Sequence, residues 1–303
     1  MPISDRHPRW FYEAAIPGSR ADRVRHGFLI EKMIYQGTSP FQTIRIFKNP
    51  TYGKVLCLDD IVQFSQSDEF IYHEMIVHPL LFSHPRPEQI LIIGGGDGGA
   101  LREVLRHPVR AVDMVEIDAR VIAVAKKHLQ FVCRDAFSDK RLTLRHLPGQ
   151  EFLRACRDRY DVIIVDCTNS DEGALSEALY GTRFFRAAAA ALKTEGLIIT
   201  LGSAFLDLKK SLKPLLKRMG GVFAFTAPIR FCMPSYHCGE YAFAAAAKTI
   251  DLEAVDFKKI QRRFAAMAKD KPFTYYAPDV HRASLTLPPS WRSALGRDRD
   301  GRP

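Results

Sequence analysis

The stretch Ile90–Asp118 constrains this chain more than any other. It opens on four apolar residues, Ile90–Ile93, a length that suits a strand buried on both faces. Gly94, Gly95, Gly96, Asp97, Gly98 and Gly99 follow. Leu101, Val104 and Leu105 then share one helical face, until His107-Pro108 stops the pattern. A second apolar run, Ala111–Val115, ends on Glu116. Strand, glycine turn, helix, strand and terminal acid predict the first unit of a parallel sheet. Asp97 and Glu116 lie nineteen positions apart, near the spacing of about 20 at which such an acid grips ribose hydroxyls.

Asp97 changes what that turn can hold. Glycines let backbone approach a ligand closely, but a carboxylate inside the turn repels phosphate. Gly94, Gly96 and Gly99 fit a dinucleotide fingerprint only if Asp97 is tolerated between the last two. The ligand expected here is a nucleoside without phosphates, carrying a cationic arm near Asp97. The bland alternative is a tight structural turn with a surface aspartate.

The chain has 303 residues, enough for a full core in one large domain or one domain plus a smaller one. No apolar run reaches membrane-spanning length, and the N-terminus lacks an apolar signal core, so a cytoplasmic protein is expected. Six cysteines show no CxxC spacing and read as reduced thiols. Cys232, His237 and Cys238 match no zinc pattern, and no metal is expected. The net charge is +10, yet acids cluster beside the motifs at Asp68-Glu69, Asp97, Glu116, Asp118 and Asp166. An acidic site inside a basic shell suits a small cationic substrate; nucleic-acid binding is the weaker alternative.

In chain order, residues 1–66 read as a small antiparallel β-domain. Its runs are Phe28–Tyr35, Phe41–Phe47 and a hairpin of Val55–Leu58 and Ile61–Phe64 turning at Asp59-Asp60. A helix over Asp68–Phe82 is expected, capped by Ser67. Residues 67–290 then alternate strands and helices, with strands at Tyr160–Val165, Gly196–Leu201, Val222–Thr226 and Tyr241–Ala245. A helix is expected over Leu206–Met219 and a proline-bearing loop over Pro228–Gly239. The fold class is therefore α/β, a doubly wound, mainly parallel, Rossmann-like sheet of the methyltransferase type after an antiparallel β-domain. Residues 291–303 read as a basic, disordered tail. Ligands bind at the carboxyl ends of such strands, which brings Asp97, Glu116, the Pro148-Gly149 turn and Asp166 together, with Tyr72, His73 and Tyr236 as further walls.

Several stretches resemble the polyamine aminopropyltransferases, the spermidine synthase family. They are Thr51–Asp60, Asp68–His107, Met114–Asp118, Asp161–Cys167, Pro234–Tyr236 and Tyr275–Pro288. The resemblance implies transfer of an aminopropyl group from decarboxylated S-adenosylmethionine to a diamine, with putrescine the default and methylthioadenosine released. It implies no metal or redox cofactor, the nucleoside being a co-substrate, and a homodimer or homotetramer. By resemblance Asp166 is the general base. Asp97, Glu116, Gln42, Gly95, Gly96 and Gly149 bind the donor. Tyr72, His73, Asp97, Asn169 and Tyr236 bind the acceptor.

The chain also departs from that pattern. Pro148-Gly149 stands where the family has an Asp-Gly that reads adenine, Asn169 replaces the second loop acid, and Leu201 replaces a polar residue. Asp171 or Glu172 is a candidate substitute for the missing acid. Two other functions remain open on sequence. One is a methyltransferase using intact S-adenosylmethionine, which Asp97 disfavours by repelling its carboxylate. The other is a non-catalytic nucleoside- or polyamine-binding paralogue.

Overall fold

A computed structural model describes residues 9–14, 24–167 and 178–297. Three sheets organise them. Strands β1 (Trp10–Tyr12) and β2 (Gly27–Leu29) pair antiparallel. Strands β3 (Lys32–Thr38), β4 (Thr43–Asn49), β5 (Gly53–Leu58) and β6 (Ile61–Ser65) form a four-stranded antiparallel meander. The expected single run Phe28–Tyr35 is thus split, because Ile30 and Glu31 carry the chain from one small sheet to the next. Asp59 and Asp60 both adopt positive φ, the two-residue turn whose twist suits a hairpin.

Helix α1 (Glu69–Ser83) leads out of the meander. It is apolar nearly all round because it lies buried between the meander and the large sheet. Ser67 does not cap it. Asp68 holds the N-cap position and makes no cap bond either. Its carboxylate instead accepts from the Ser235 amide at 2.7 Å and the Ser235 hydroxyl at 3.0 Å.

The large sheet has seven strands in the order β12-β13-β11-β10-β7-β8-β9. They are β7 (Gln89–Gly94), β8 (Ala111–Val115), β9 (Leu142–Arg145), β10 (Tyr160–Asp166), β11 (Leu192–Ala204), β12 (Phe225–Cys232) and β13 (Glu240–Ala247). Strands β7 to β11 run parallel, and β13 and β12 complete one edge antiparallel. Side chains alternate between two cores: Ile90, Ile92, Val162 and Ile164 face one, and Leu91, Ile93, Ile163 and Val165 the other. The chain winds outward from β7 through β8 to β9, then returns to place β10 on the other side of β7. The ends of β7 and β10 are therefore the switch point at which doubly wound sheets open a crevice.

Three expectations fail in the C-terminal third of the chain. Strand β12 continues through Pro228 to Cys232 where a loop was expected. It tolerates a proline because it is the edge strand and one side of its backbone needs no ladder partner. Residues 291–297 do not join a disordered tail: a helix spans Pro289–Leu295, and Trp291 is fully buried beneath it. The expected helix over Leu206–Met219 begins regularly only at Lys213, after a π-helical turn over Leu208–Leu212. Among the described residues no helix is long and apolar enough to cross a membrane.

Candidate active site

The glycine turn after β7 is built by short-range necessity. Gly94, Gly95 and Gly98 have positive φ, and a Cβ on Gly94 would lie 2.2 Å from the Asp166 carbonyl oxygen. The Gly95 amide donates to that same carbonyl at 2.8 Å. At Gly99, which opens helix α2 (Gly99–Val104), a Cβ would lie 2.3 Å from Nε2 of His73. The turn is thus wedged against the end of β10 on one side and helix α1 on the other.

A cavity of about 300 Å³ opens above this junction. Its walls carry Asp97, Glu116 and Asp166 from the large sheet, Tyr72 and His73 from α1, and Gln42 and Gln63 from the meander. Gly95, Gly96, Pro148, Gly149 and Tyr236 complete it, with Glu13, Leu201, His237 and Tyr241 further out. No lysine or arginine is among the described residues that line it. Every site residue expected from sequence is brought together here except Asn169, which, like Asp171 and Glu172, lies outside the described residues.

Asp166 ends β10, and its Oδ1 accepts from the Tyr72 hydroxyl at 2.9 Å. Its Oδ2 is buried and has no hydrogen-bond partner among the described residues. Burial, then the Asp97 charge, pushes this carboxyl up to about 6, with His73 and Tyr72 opposing. Asp97 accepts from the Gly99 amide at 2.7 Å and lies 3.2 Å from His73 Nε2. Burial works against its charge, but His73 and the Gly99 amide outweigh burial and hold it below the usual carboxylate range.

Glu116 sits at the end of β8, raised to about 7 by burial and by the charges of Asp118 and Asp97, against the Asp118 amide that it accepts at 2.8 Å. Asp118 caps helix α3 (Ala119–His128) through the Arg120 amide. Its other oxygen accepts from Ser39 at 2.7 Å and from Gln42 Nε2 at 2.9 Å. Gln42 therefore reaches the site while tied through Asp118 to the end of β8, one of the bonds that fasten the meander to the cavity. Pro148 holds the N-cap position of the helix Gly149–Arg154 and offers only its carbonyl, which accepts from the amides of Glu151 and Phe152. Tyr236 donates to the Gln63 carbonyl at 2.7 Å, which fixes its ring beside Tyr72.

Among the described residues, the group of His, Cys, Asp and Glu side chains close enough to share a cation is His73, Asp97 and Asp166, all within 4.8 Å of one another. Both ring nitrogens of His73 face carboxylates, Glu69 at 2.6 Å and Asp97 at 3.2 Å. A ring that donates at both nitrogens has no lone pair for a metal, so the group suits an organic cation better. Sequence reasoning missed Glu69 and Asp118 as members of this site's support. Both sit in the quoted motifs, but their partners lie 33 and 76 residues away.

The spermine/spermidine synthase domain family matches residues 69–259, and the spermidine synthase tetramerisation domain matches residues 9–66. A polyamine aminopropyltransferase of Ruegeria sp. (strain TM1040) is 36% identical over 268 residues, covering 88% of this chain and 93% of that protein. One from Pectobacterium carotovorum subsp. carotovorum (strain PC1) is 37% identical over 270 residues, covering 88% and 92%. Among solved structures, a spermidine synthase in complex with the transition-state analogue AdoDATO superposes with a TM-score of 0.87 at 35% identity, covering 96% of this chain and 97% of that one. The spermidine synthase from Thermotoga maritima gives 0.83 at 34% identity, covering 96% of each chain.

Proposed function

The chain belongs to the spermidine synthase family of polyamine aminopropyltransferases, and we propose that it moves the aminopropyl group of decarboxylated S-adenosylmethionine to a diamine, putrescine first among them. One observation carries this reading: among the described residues the cavity pairs carboxylates with no lining lysine or arginine, and one buried oxygen beside Asp97, Oδ2 of Asp166, has no hydrogen-bond partner.

The chemistry follows from that arrangement. The acceptor enters as an ammonium and must lose a proton before it can attack. Asp166 Oδ2 takes it, while Tyr72 on Oδ1 holds the carboxylate's plane. The freed nitrogen lone pair forms a bond to the methylene carbon beside the sulfonium. The carbon–sulfur bond breaks, and its electron pair returns to sulfur as a neutral thioether, methylthioadenosine. A sulfonium is already a good leaving group, so most of the acceleration comes from alignment of nitrogen, carbon and sulfur.

Asp97 receives the free ammonium of the donor arm and borders the acceptor. Glu116 accepts from the ribose hydroxyls, and Gln42 closes the nucleoside side. Gly95, Gly96 and Gly149 let the donor lie against backbone. Tyr72, His73 and Tyr236 shape the acceptor channel, and Asn169, an acceptor residue by the family resemblance, lies outside the described residues. Adenine is read without an acid at position 148. The tetramerisation-domain match supports an oligomer, a dimer or tetramer; a cytoplasmic location is part of the proposal. An intact S-adenosylmethionine would bring its carboxylate to Asp97, which disfavours methyl transfer.

The test is incubation with either donor and a panel of amines, read by mass spectrometry for methylthioadenosine or S-adenosylhomocysteine. Methylthioadenosine is expected from the decarboxylated donor only, and Asp166→Asn loses most of it, roughly 100-fold or more for a lost general base, with donor affinity nearly intact. Full turnover by Asp166→Asn, or S-adenosylhomocysteine as the product, overturns the assignment.

A further inference from the structure

We infer that Glu69 and Arg102 are positioning residues for this site: they hold His73 as a fixed ring that donates at both nitrogens and anchors Asp97 at the cation end of the cavity. The inference rests on the reading that Asp97 receives an ammonium, but the anchoring geometry stands apart from it.

Arg102, on α2, is almost fully buried. It donates from both terminal nitrogens to the two oxygens of Glu69, each at 3.0 Å. Its Nε donates to Glu103 at 2.7 Å and its NH1 also to the Val132 carbonyl at 2.8 Å. Such a planar, two-point grip fixes a carboxylate in direction as well as place. Glu69 Oε2 then accepts from His73 Nδ1 at 2.6 Å, and His73 Nε2 lies 3.2 Å from Asp97 Oδ1. His73 is 1% exposed, so water cannot substitute for either partner.

A neutral imidazole has one N–H and one lone pair. In this position its lone pair would face a carboxylate oxygen, two buried acceptors in contact. The doubly protonated ring satisfies both. Burial opposes the charge, yet Asp97 and Glu69 outweigh it and hold the ring up to about 10. The groups facing His73 are Glu69 on its own helix, Asp97 in the glycine turn, Arg102 on α2, Asp166 at the end of β10, and Tyr72 beside it. Arg102, Glu69, His73 and Asp97 thus alternate in sign and sum to zero. Asp97 meets both the Gly99 amide and His73 through Oδ1, and Oδ2 takes part in neither bond. The charge on His73 also lowers Asp166, the group placed to take the acceptor's proton.

The experiment is nitrogen NMR of histidine-labelled protein, with His73 identified by the signal missing in His73→Gln, followed by pH profiles of methylthioadenosine formation. The wild-type ring stays charged up to about pH 9, far above a free histidine. In Glu69→Gln its midpoint falls by roughly two units or more, and turnover relative to wild type drops further as pH rises through that lowered midpoint. A purely structural role would lower turnover by the same factor at every pH. An unchanged His73 titration in Glu69→Gln overturns the inference. If that variant does not fold, Arg102→Lys keeps the charge without the paired donors: the ring stays charged but loses its protected downfield N–H proton signals, and retention of both refutes the positioning. A fallen midpoint in protein that makes no methylthioadenosine, wild type included, refutes the functional reading and leaves the anchoring intact.

Discussion

Replacing Tyr72 by phenylalanine removes one oxygen from the site and little else. The ring packs edge-on against Phe243 and Phe231, at centroid distances of 5.2 and 5.9 Å, and a phenylalanine keeps those contacts. What is lost is the 2.9 Å bond to Asp166 Oδ1. A hydrogen bond to a charged group contributes about 1.5–3 kcal/mol, and one pKa unit corresponds to about 1.4 kcal/mol. The bond favours the ionised carboxylate, so its loss raises Asp166 from about 6 by roughly one to two units. A base works only when ionised, so activity disappears as pH falls through the raised value. At pH 6.5 the variant should be slower than wild type by roughly 3- to 25-fold in kcat/KM, and the two should converge above about pH 9. The substrate amine titrates in both proteins alike, so the ratio isolates the carboxyl. Mass-spectrometric initial rates of methylthioadenosine formation across that range measure it. A ratio that stays constant with pH refutes the argument, since it would mean Tyr72 orients the acceptor without tuning the base.

Three further substitutions probe the frame around the site. Gly99→Ala puts a methyl 2.3 Å from His73 Nε2; overpacking of this kind costs about 1–3 kcal/mol, seen as a lower melting temperature with weaker donor binding by calorimetry, and wild-type values for both would be wrong for this fold. Asp68→Ala frees the Ser235 amide and hydroxyl, so the KM for the amine should rise several-fold while calorimetric donor affinity holds; an unchanged KM shows that the loop before β13 is held by other contacts. Trp291→Ala empties a fully buried site and should cost about 3–5 kcal/mol in chemical denaturation, whereas a disordered segment there would show no loss.

The site's centre was legible because it is local. Ile90–Gly99 states its own geometry: apolar residues for a buried strand, glycines for a turn, an acid within it. Asp166 was legible as the polar end of an apolar run. What escaped depends on partners distant in sequence. Asp68 looks like a helix-end acid until Ser235, 167 residues on, occupies its carboxylate. Glu69 looks the same until Arg102 grips it. Pro228 reads as a loop residue because nothing in the local sequence says that its strand is an edge. Trp291 is hidden at the head of a segment that reads as a basic tail, although the burial of one large ring outweighs the polarity that follows it.

Asp166 stands directly opposite Gly94 in the register of β10 and β7. The gap between the proposed base and the proposed donor cradle is therefore a strand spacing, about 4.8 Å in any sheet, before side chains add their reach. Backbone pairing is indifferent to most of the sequence that flanks it. A ruler made of main chain can be inherited through relatives that share little more than a third of their residues, while cavity-wall side chains such as Pro148 and Leu201 can change without moving it. Diversification in such an enzyme should gather at the rim and leave the measuring distance untouched.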